Sequence, residues 1–146
     1  MIYTIGYQRL EVERLSRIVL TLELTLIDAR SSPVSRKPGY GSGQLKKLFN
    51  EAYEHHPELG GRCAVSDSAV AEMARRNRRG ESLLLLCMEH APAECHRHTD
   101  LAMRLLNHDV DCLHICGDEI VRASELERSL VDGDDYECFE IPEDLR

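Results

Sequence analysis

The chain has 146 residues, 42% of them hydrophobic, with a formal net charge of −8. That size suits one compact domain over 1–146 with an ordinary core, and no apolar run approaches the roughly 18 residues of a membrane span. The charge is uneven, +4 over residues 1–80 and −12 over 81–146, which excludes a uniformly basic nucleic-acid coat but leaves room for a local basic face.

The start, MIYTIGYQ, has neither the basic residues nor the apolar stretch of a secretory signal. The expected location is therefore cytoplasmic, and the six cysteines read as buried free thiols rather than a disulfide framework.

Ile2 to Gly6 reads as a first strand, and Leu10, Leu15, Ile18, Val19 and Leu22 recur at near-helical spacing behind it. Leu24 to Asp28 is a second strand. The loop from Ala29 to Gly43, with two prolines and three glycines, is long enough to suggest a functional segment. Leu45, Leu48, Phe49, Ala52 and Tyr53 predict a helix over Gly43–His55. Pro57 to Arg62 reads as a short strand or turn. A helix over Ser66–Arg79 places Arg75, Arg76, Arg78 and Arg79 at its C-terminal end, where the dipole favours cations. The same arginine run is a possible nucleic-acid contact.

Leu83 to Leu86 is an unbroken apolar run followed closely by Pro92, as expected of a strand buried on both faces. A helix carrying Leu101, Leu105 and Leu106 follows. Asp111 to Cys116 is a further strand. Ser124 and Glu127 have capping-box spacing ahead of a helix to about Val131, and Tyr136 to Ile141 reads as an edge strand. Strand and helix alternate, so the expected class is α/β: three layers, a mostly parallel twisted sheet with helices on both faces, Rossmann-like.

Parallel strands gather their carboxyl ends on one rim, where such sheets keep ligand sites. The rim should carry Tyr7, Asp28 and Arg30, with Arg36 close behind. It should also carry Cys87, Glu89, Cys95, His96 and Arg97. Arg30, Arg36 and Arg97, helped by His96, Tyr7 and Asp28, form a candidate anion or substrate site, since guanidinium forks suit phosphate and carboxylate. Alternatively, Arg30 pairs with Asp28 or Glu89, and Arg97 only decorates its helix. Glu89 is a candidate general acid or base, and Cys95 a candidate nucleophile. Cys87 is either its resolving partner or a buried thiol.

Neither Cys87 nor Cys95 is followed six residues on by arginine, since Ala93 and Leu101 stand there, which rejects a cysteine phosphatase loop at either thiol, and the GxxxxGK[ST] phosphate loop is missing. No CxxC pair occurs, so neither metal nor cofactor is predicted. Zinc on Cys87, Cys95, His96, His98, Cys112, His114 or Cys116 remains an alternative.

Six pieces in order also carry a resemblance. They are Tyr3–Gly6, Asp28–Arg30 with Pro33, Ser35 and Arg36, Leu59–Arg62, Leu86–Glu89, Pro92 with Cys95–Arg97, and His114–Ile115. On these the chain resembles the family named domain of unknown function 488 over about residues 2–116, with 117–146 as an acidic C-terminal extension. Tyr7 stands where the family usually has histidine, and the segment from Gly61 to Leu83 is short for it. The resemblance implies a small α/β domain with an Arg, Cys and Glu constellation and no agreed reaction.

The leading expectation is an enzyme of hydrolase or glycosyl-transfer type acting on a phosphate-bearing small molecule or a nucleic-acid end. The alternatives are a non-catalytic nucleotide- or nucleic-acid-binding module and a thiol redox protein. No membrane partner is expected, and a homodimer is compatible with the sequence.

Overall fold

The computed structural model describes residues 1–62 and 64–146. In chain order, the strands are β1 (Ile2–Gly6), β2 (Thr25–Asp28), β3 (Tyr53–His55), β4 (Leu83–Cys87), β5 (Leu113–Cys116), β6 (Glu119–Arg122) and β7 (Cys138–Glu140). They form one seven-stranded sheet in the order β3-β2-β4-β1-β5-β6-β7. The first five run parallel, and β6 pairs antiparallel with both β5 and β7. This is the expected mixed α/β, mostly parallel, Rossmann-like arrangement.

Residue alternation along each strand supplies two cores. Ile2, Ile27, Leu83 and Leu85 face one side, packed by α3 (Asp67–Arg78) through Val70 and Met73 and by the segment bearing Leu101 and Leu105. Ile5, Leu26, Leu84 and Leu86 face the other, packed by α1 (Val12–Thr21) and α2 (Ser42–Phe49) through Leu15, Ile18 and Leu45. All four leucines of β4 are at most 1% exposed, which explains why that strand shows no polar alternation. Among the described residues, no helix is long and apolar enough to cross a membrane.

Several local expectations change. The helix expected over Gly43–His55 ends at Phe49. Asn50 takes φ 50°, a short 3-10 turn follows, and Tyr53–His55 becomes β3 alongside β2. The sheet edge outweighs a helical periodicity that happens to run on. Of the strand or turn expected from Pro57, the turn is formed, as a 3-10 turn over Pro57–Leu59. The helix after β4 starts as a π-helix over Arg97–Ala102 before becoming α4 (Met103–Leu106). Such widened turns are frequent at functional sites.

The predicted capping box at Ser124 is not formed. Helix α5 (Ala123–Asp132) has Arg122 at its N-cap position, and Asp111 accepts hydrogen bonds from the Ser124 amide (3.0 Å) and hydroxyl. The acidic segment carries the helix and the edge strand expected in it. It supplies β6, α5 and β7, and it seats Ile141 and Leu145 in the second core. Not every thiol is buried: Cys87, Cys95 and Cys112 are, Cys116 is half-buried, and Cys138 is exposed.

The topology opens the crevice. The chain leaving β1 turns into α1 on one face, whereas the chain leaving β4 reaches the π-helix on the other. Adjacent carboxyl ends whose connections diverge leave a gap between them.

Candidate functional site

A cleft of about 380 Å³ lies at the carboxyl ends of β1, β2 and β4. Tyr7, Arg30, Cys87, Glu89 and His96 line it, as do Ser31 and Ser32 from the long loop and Gly61 and Arg62 from the turn after β3.

The floor is built by the β4 strand end and the π-helix start. Tyr7 and Gln8 donate backbone N–H bonds to the Cys87 and Met88 carbonyls at 3.0 and 2.9 Å, extending the β1–β4 pairing past the last strand residue. Gly6 is required there, because a Cβ would stand 1.7 Å from the Glu89 carbonyl oxygen. The fully buried Arg97 completes the brace. Its Nη2 donates to the His90 carbonyl (2.8 Å) and its Nη1 to the Glu89 carbonyl, so the Met88–Ala91 loop is held from below.

On this floor Cys87, Cys95 and His96 bring their donor atoms within 4.8 Å of one another. The His96 Nε2–H donates to the Leu59 carbonyl at 2.9 Å, which leaves Nδ1 facing the Cys95 sulfur at 3.8 Å. Hydrogen bonding from the Cys87 thiol is the main reason the Cys95 pKa is lowered. Burial opposes this, while His96, the Arg97 amide and Glu89 assist. Cys87 is correspondingly raised, first by that same bond and then by burial. Burial opposes charge on His96, yet its Cys95 neighbour and the Leu59 carbonyl leave its pKa raised. Burial, then proximity to Cys95, raises Glu89. The four groups thus shift one another's protonation, with Cys95 the thiol favoured as the thiolate. Cys95 is the more acidic thiol, but Cys87 is the one that lines the cleft.

On the cationic side the expected convergence of three arginines is not formed, and Arg30 follows the alternative of pairing with Asp28. Arg30 lines the cleft but is clamped: Nε and Nη2 each donate to the Asp28 carboxylate at 2.7 Å, and Nη1 donates to the Tyr40 carbonyl at 2.7 Å. Tyr53 adds a hydroxyl bond to the same carboxylate (2.6 Å), so Asp28 is a buried anchor rather than a ligand contact. Three of the five guanidinium N–H groups are committed, leaving two. The Arg30 guanidinium carbon lies 5.1 Å from the centroid of the Tyr7 ring, which itself stacks on Tyr40 at 4.7 Å.

Arg36 lies outside this cleft, exposed at an adjoining hollow of about 340 Å³ shared with Lys37 and reached past Tyr7, Val34 and Met88. Arg97 is not a cleft residue. The expected convergence of Arg30, Arg36 and Arg97 on one anion is therefore corrected to Arg30 in the cleft, Arg36 beside it and Arg97 beneath.

Arg62 was missed as a site residue. It is exposed at the cleft, and its amide donates to the Ser31 hydroxyl at 3.2 Å. The Gly60–Gly61 pair ahead of it was the available signal. A Cβ on Gly60 would lie 2.0 Å from the Ser31 oxygen, so glycine is what lets this turn close against the long loop. Cys112 and Cys116 point elsewhere on the sheet, and His98 and His114 form a separate buried pair at 3.0 Å.

Comparisons of the chain with protein-family models, curated proteins and solved structures each returned no match. The arrangement defines a small α/β protein whose rim cleft joins a thiol–imidazole–carboxyl cluster to two arginines. Guanidinium N–H donors, a carboxyl, an imidazole and a thiol thus border one cleft.

Proposed function

We propose that the protein is an enzyme of hydrolase or group-transfer type acting on an anion-bearing small molecule, such as a phosphorylated sugar or nucleotide. Arg62 and the free N–H groups of Arg30 hold the anion, and the Ser31 and Ser32 loop borders it. Glu89, its pKa raised by burial, moves the proton. The sulfur–imidazole floor faces the reacting atom. The supporting observation is that segments from four separate parts of the chain bring Arg30, Arg62, Glu89, Cys87 and His96 to one cleft. The resemblance to domain of unknown function 488 enters the proposal with the same residues.

A thermal-shift screen of phosphate, sugar phosphates and nucleotides tests it, because a ligand at 100 times its dissociation constant adds about 2.7 kcal/mol. A hit should be turned over by the wild type and bound without turnover by Glu89→Gln. Unchanged turnover in that variant would remove Glu89 from the mechanism. A second reading, a dithiol redox protein, is favoured by the proximity of the Cys87 and Cys95 sulfurs. It predicts that a small-molecule disulfide takes two electrons from the pair, leaving a Cys87–Cys95 bond visible by peptide mapping.

A further inference from the structure

We infer that Cys87, Cys95 and His96 form a zinc site of two-sulfur, one-nitrogen type whose fourth position opens into the cleft. The inference is independent of the anion reading and requires no organic ligand.

Its first support is distance. Zinc bonds of about 2.3 Å to sulfur and about 2.0 Å to nitrogen, arranged tetrahedrally, place ligand atoms roughly 3.5–3.8 Å apart. The Cys95 Sγ to His96 Nδ1 separation is already 3.8 Å, and the full set lies within 4.8 Å. An ion at the centre needs only a small inward movement of side chains that share one loop.

The second support is the state of the imidazole. Histidines that bind metal usually donate their other ring N–H to a carbonyl or carboxylate, which fixes the tautomer and aims the lone pair. His96 is built this way: Nε2–H meets the Leu59 carbonyl at 2.9 Å and Nδ1 stands 3.8 Å from the Cys95 sulfur, while the Cys87 sulfur lies 4.0 Å from Nε2 and must swing toward Nδ1 to share the ion. The ring is held without any metal, so the nitrogen ligand is oriented in advance.

The third support is donor type and access. Two sulfurs and an imidazole select zinc or another soft ion over magnesium or calcium. Cys87 and Cys95 are each 1% exposed, so bulk solvent does not compete for them. Cys87 and His96 nevertheless line the cleft, which gives the ion one unblocked direction. Structural zinc sites are closed by four protein ligands, whereas sites with three and an open position are the catalytic type. The three protein donors here leave room for a water on the side where a cleft ligand would sit.

The test uses the whole 146-residue chain. Zinc is measured per chain after purification in zinc-containing medium, and the loaded protein is studied by zinc-edge X-ray absorption. One zinc per chain with two sulfur scatterers and at least one imidazole is expected. No retained zinc, or a shell of nitrogen and oxygen only, overturns the inference.

In a second arm, stripped protein is titrated with cobalt(II). An intense tetrahedral visible band with thiolate charge transfer is expected in the wild type and in Cys112→Ser and Cys116→Ser. Affinity should fall by more than about 100-fold in Cys87→Ser and His96→Gln, beyond the 10–100-fold that losing an outer-shell partner costs. A band that survives both of those substitutions, or that vanishes with Cys112 or Cys116, overturns the assignment. Circular dichroism of the stripped variants separates loss of a ligand from loss of fold. The cobalt and absorption readouts report the metal alone, so they can fail while anion binding succeeds, and the reverse.

Discussion

Replacing Arg97 with methionine should destabilise the protein substantially while leaving anion binding in place. Arg97 is 0% exposed, and its fork is bonded to the carbonyls of Glu89 and His90. A charge-assisted hydrogen bond contributes about 1.5–3 kcal/mol, so losing two costs about 3–6 kcal/mol. Against that, a buried cation is removed whose Nε has no hydrogen-bond partner, and methionine fills much of the same volume. A net loss of about 3 kcal/mol is the expected outcome. For a chain of this size that corresponds to about 6–12 °C in melting temperature. Arg97→Lys keeps the charge but not the fork, and should do no better. The assay is urea and thermal unfolding, with amide exchange at Glu89 and His90 as the local readout. The reasoning is refuted if Arg97→Met melts within about 1 °C of wild type while phosphate affinity collapses, because the guanidinium would then be serving a ligand.

Gly6→Ala should cost at least about 1–3 kcal/mol of overpacking, read as a lower urea midpoint, since the added carbon overlaps the Glu89 carbonyl. A midpoint unchanged from wild type would mean the loop can retreat. Burial, then the neighbouring His98 and Arg97, pushes the His114 pKa down from 6.5 to about 3. Its folded pKa is the lower one, so its contribution is present above about pH 6.5 and is lost as pH falls toward 3. Between pH 7 and 4.5 this amounts to about 2–3 kcal/mol, and a His114→Gln variant should lose that slope in paired unfolding curves. The Arg76 hydrogen bond holds Glu54 at about 2, although burial opposes this and His56 assists. Stability from this pair is present above about pH 4.5 and disappears as pH drops toward 2. Arg76→Gln should flatten that part of the acid-unfolding curve, and a curve identical to wild type would show that the pair contributes nothing.

The fold was largely readable because its signals are local and redundant. Four leucines at 83–86 can be satisfied only by burial on both faces, and the polar residues after them then fall at a strand end. Helix α2 shows where such reading stops. Phe49, Ala52 and Tyr53 continue a helical stripe, but Asn50 breaks it, and Tyr53–His55 pairs with β2 through contacts that sequence spacing does not encode. The cluster of Cys87, Glu89, Cys95 and His96 was legible for a related reason: a strand end and a helix start ten residues apart or less must lie close together. The arginines were not. Composition cannot say whether a guanidinium fork faces a ligand, as Arg62 can, a carboxylate, as Arg30 does, or backbone carbonyls, as Arg97 does. For Arg97 the path of the Met88–Ala91 loop decides it, and for Arg30 the neighbouring Asp28 and the Tyr40 carbonyl do.

The cleft itself is tested most directly by titrating isotope-labelled wild-type protein with inorganic phosphate, ribose 5-phosphate and adenosine monophosphate while following backbone amide shifts. The account predicts saturable shifts centred on Ser31, Ser32, Gly61, Arg62 and Glu89, with Arg36 and Lys37 moving only for the larger ligands. Shifts centred on the Arg75–Arg79 helix end, or none at these residues with any of the three, would contradict it.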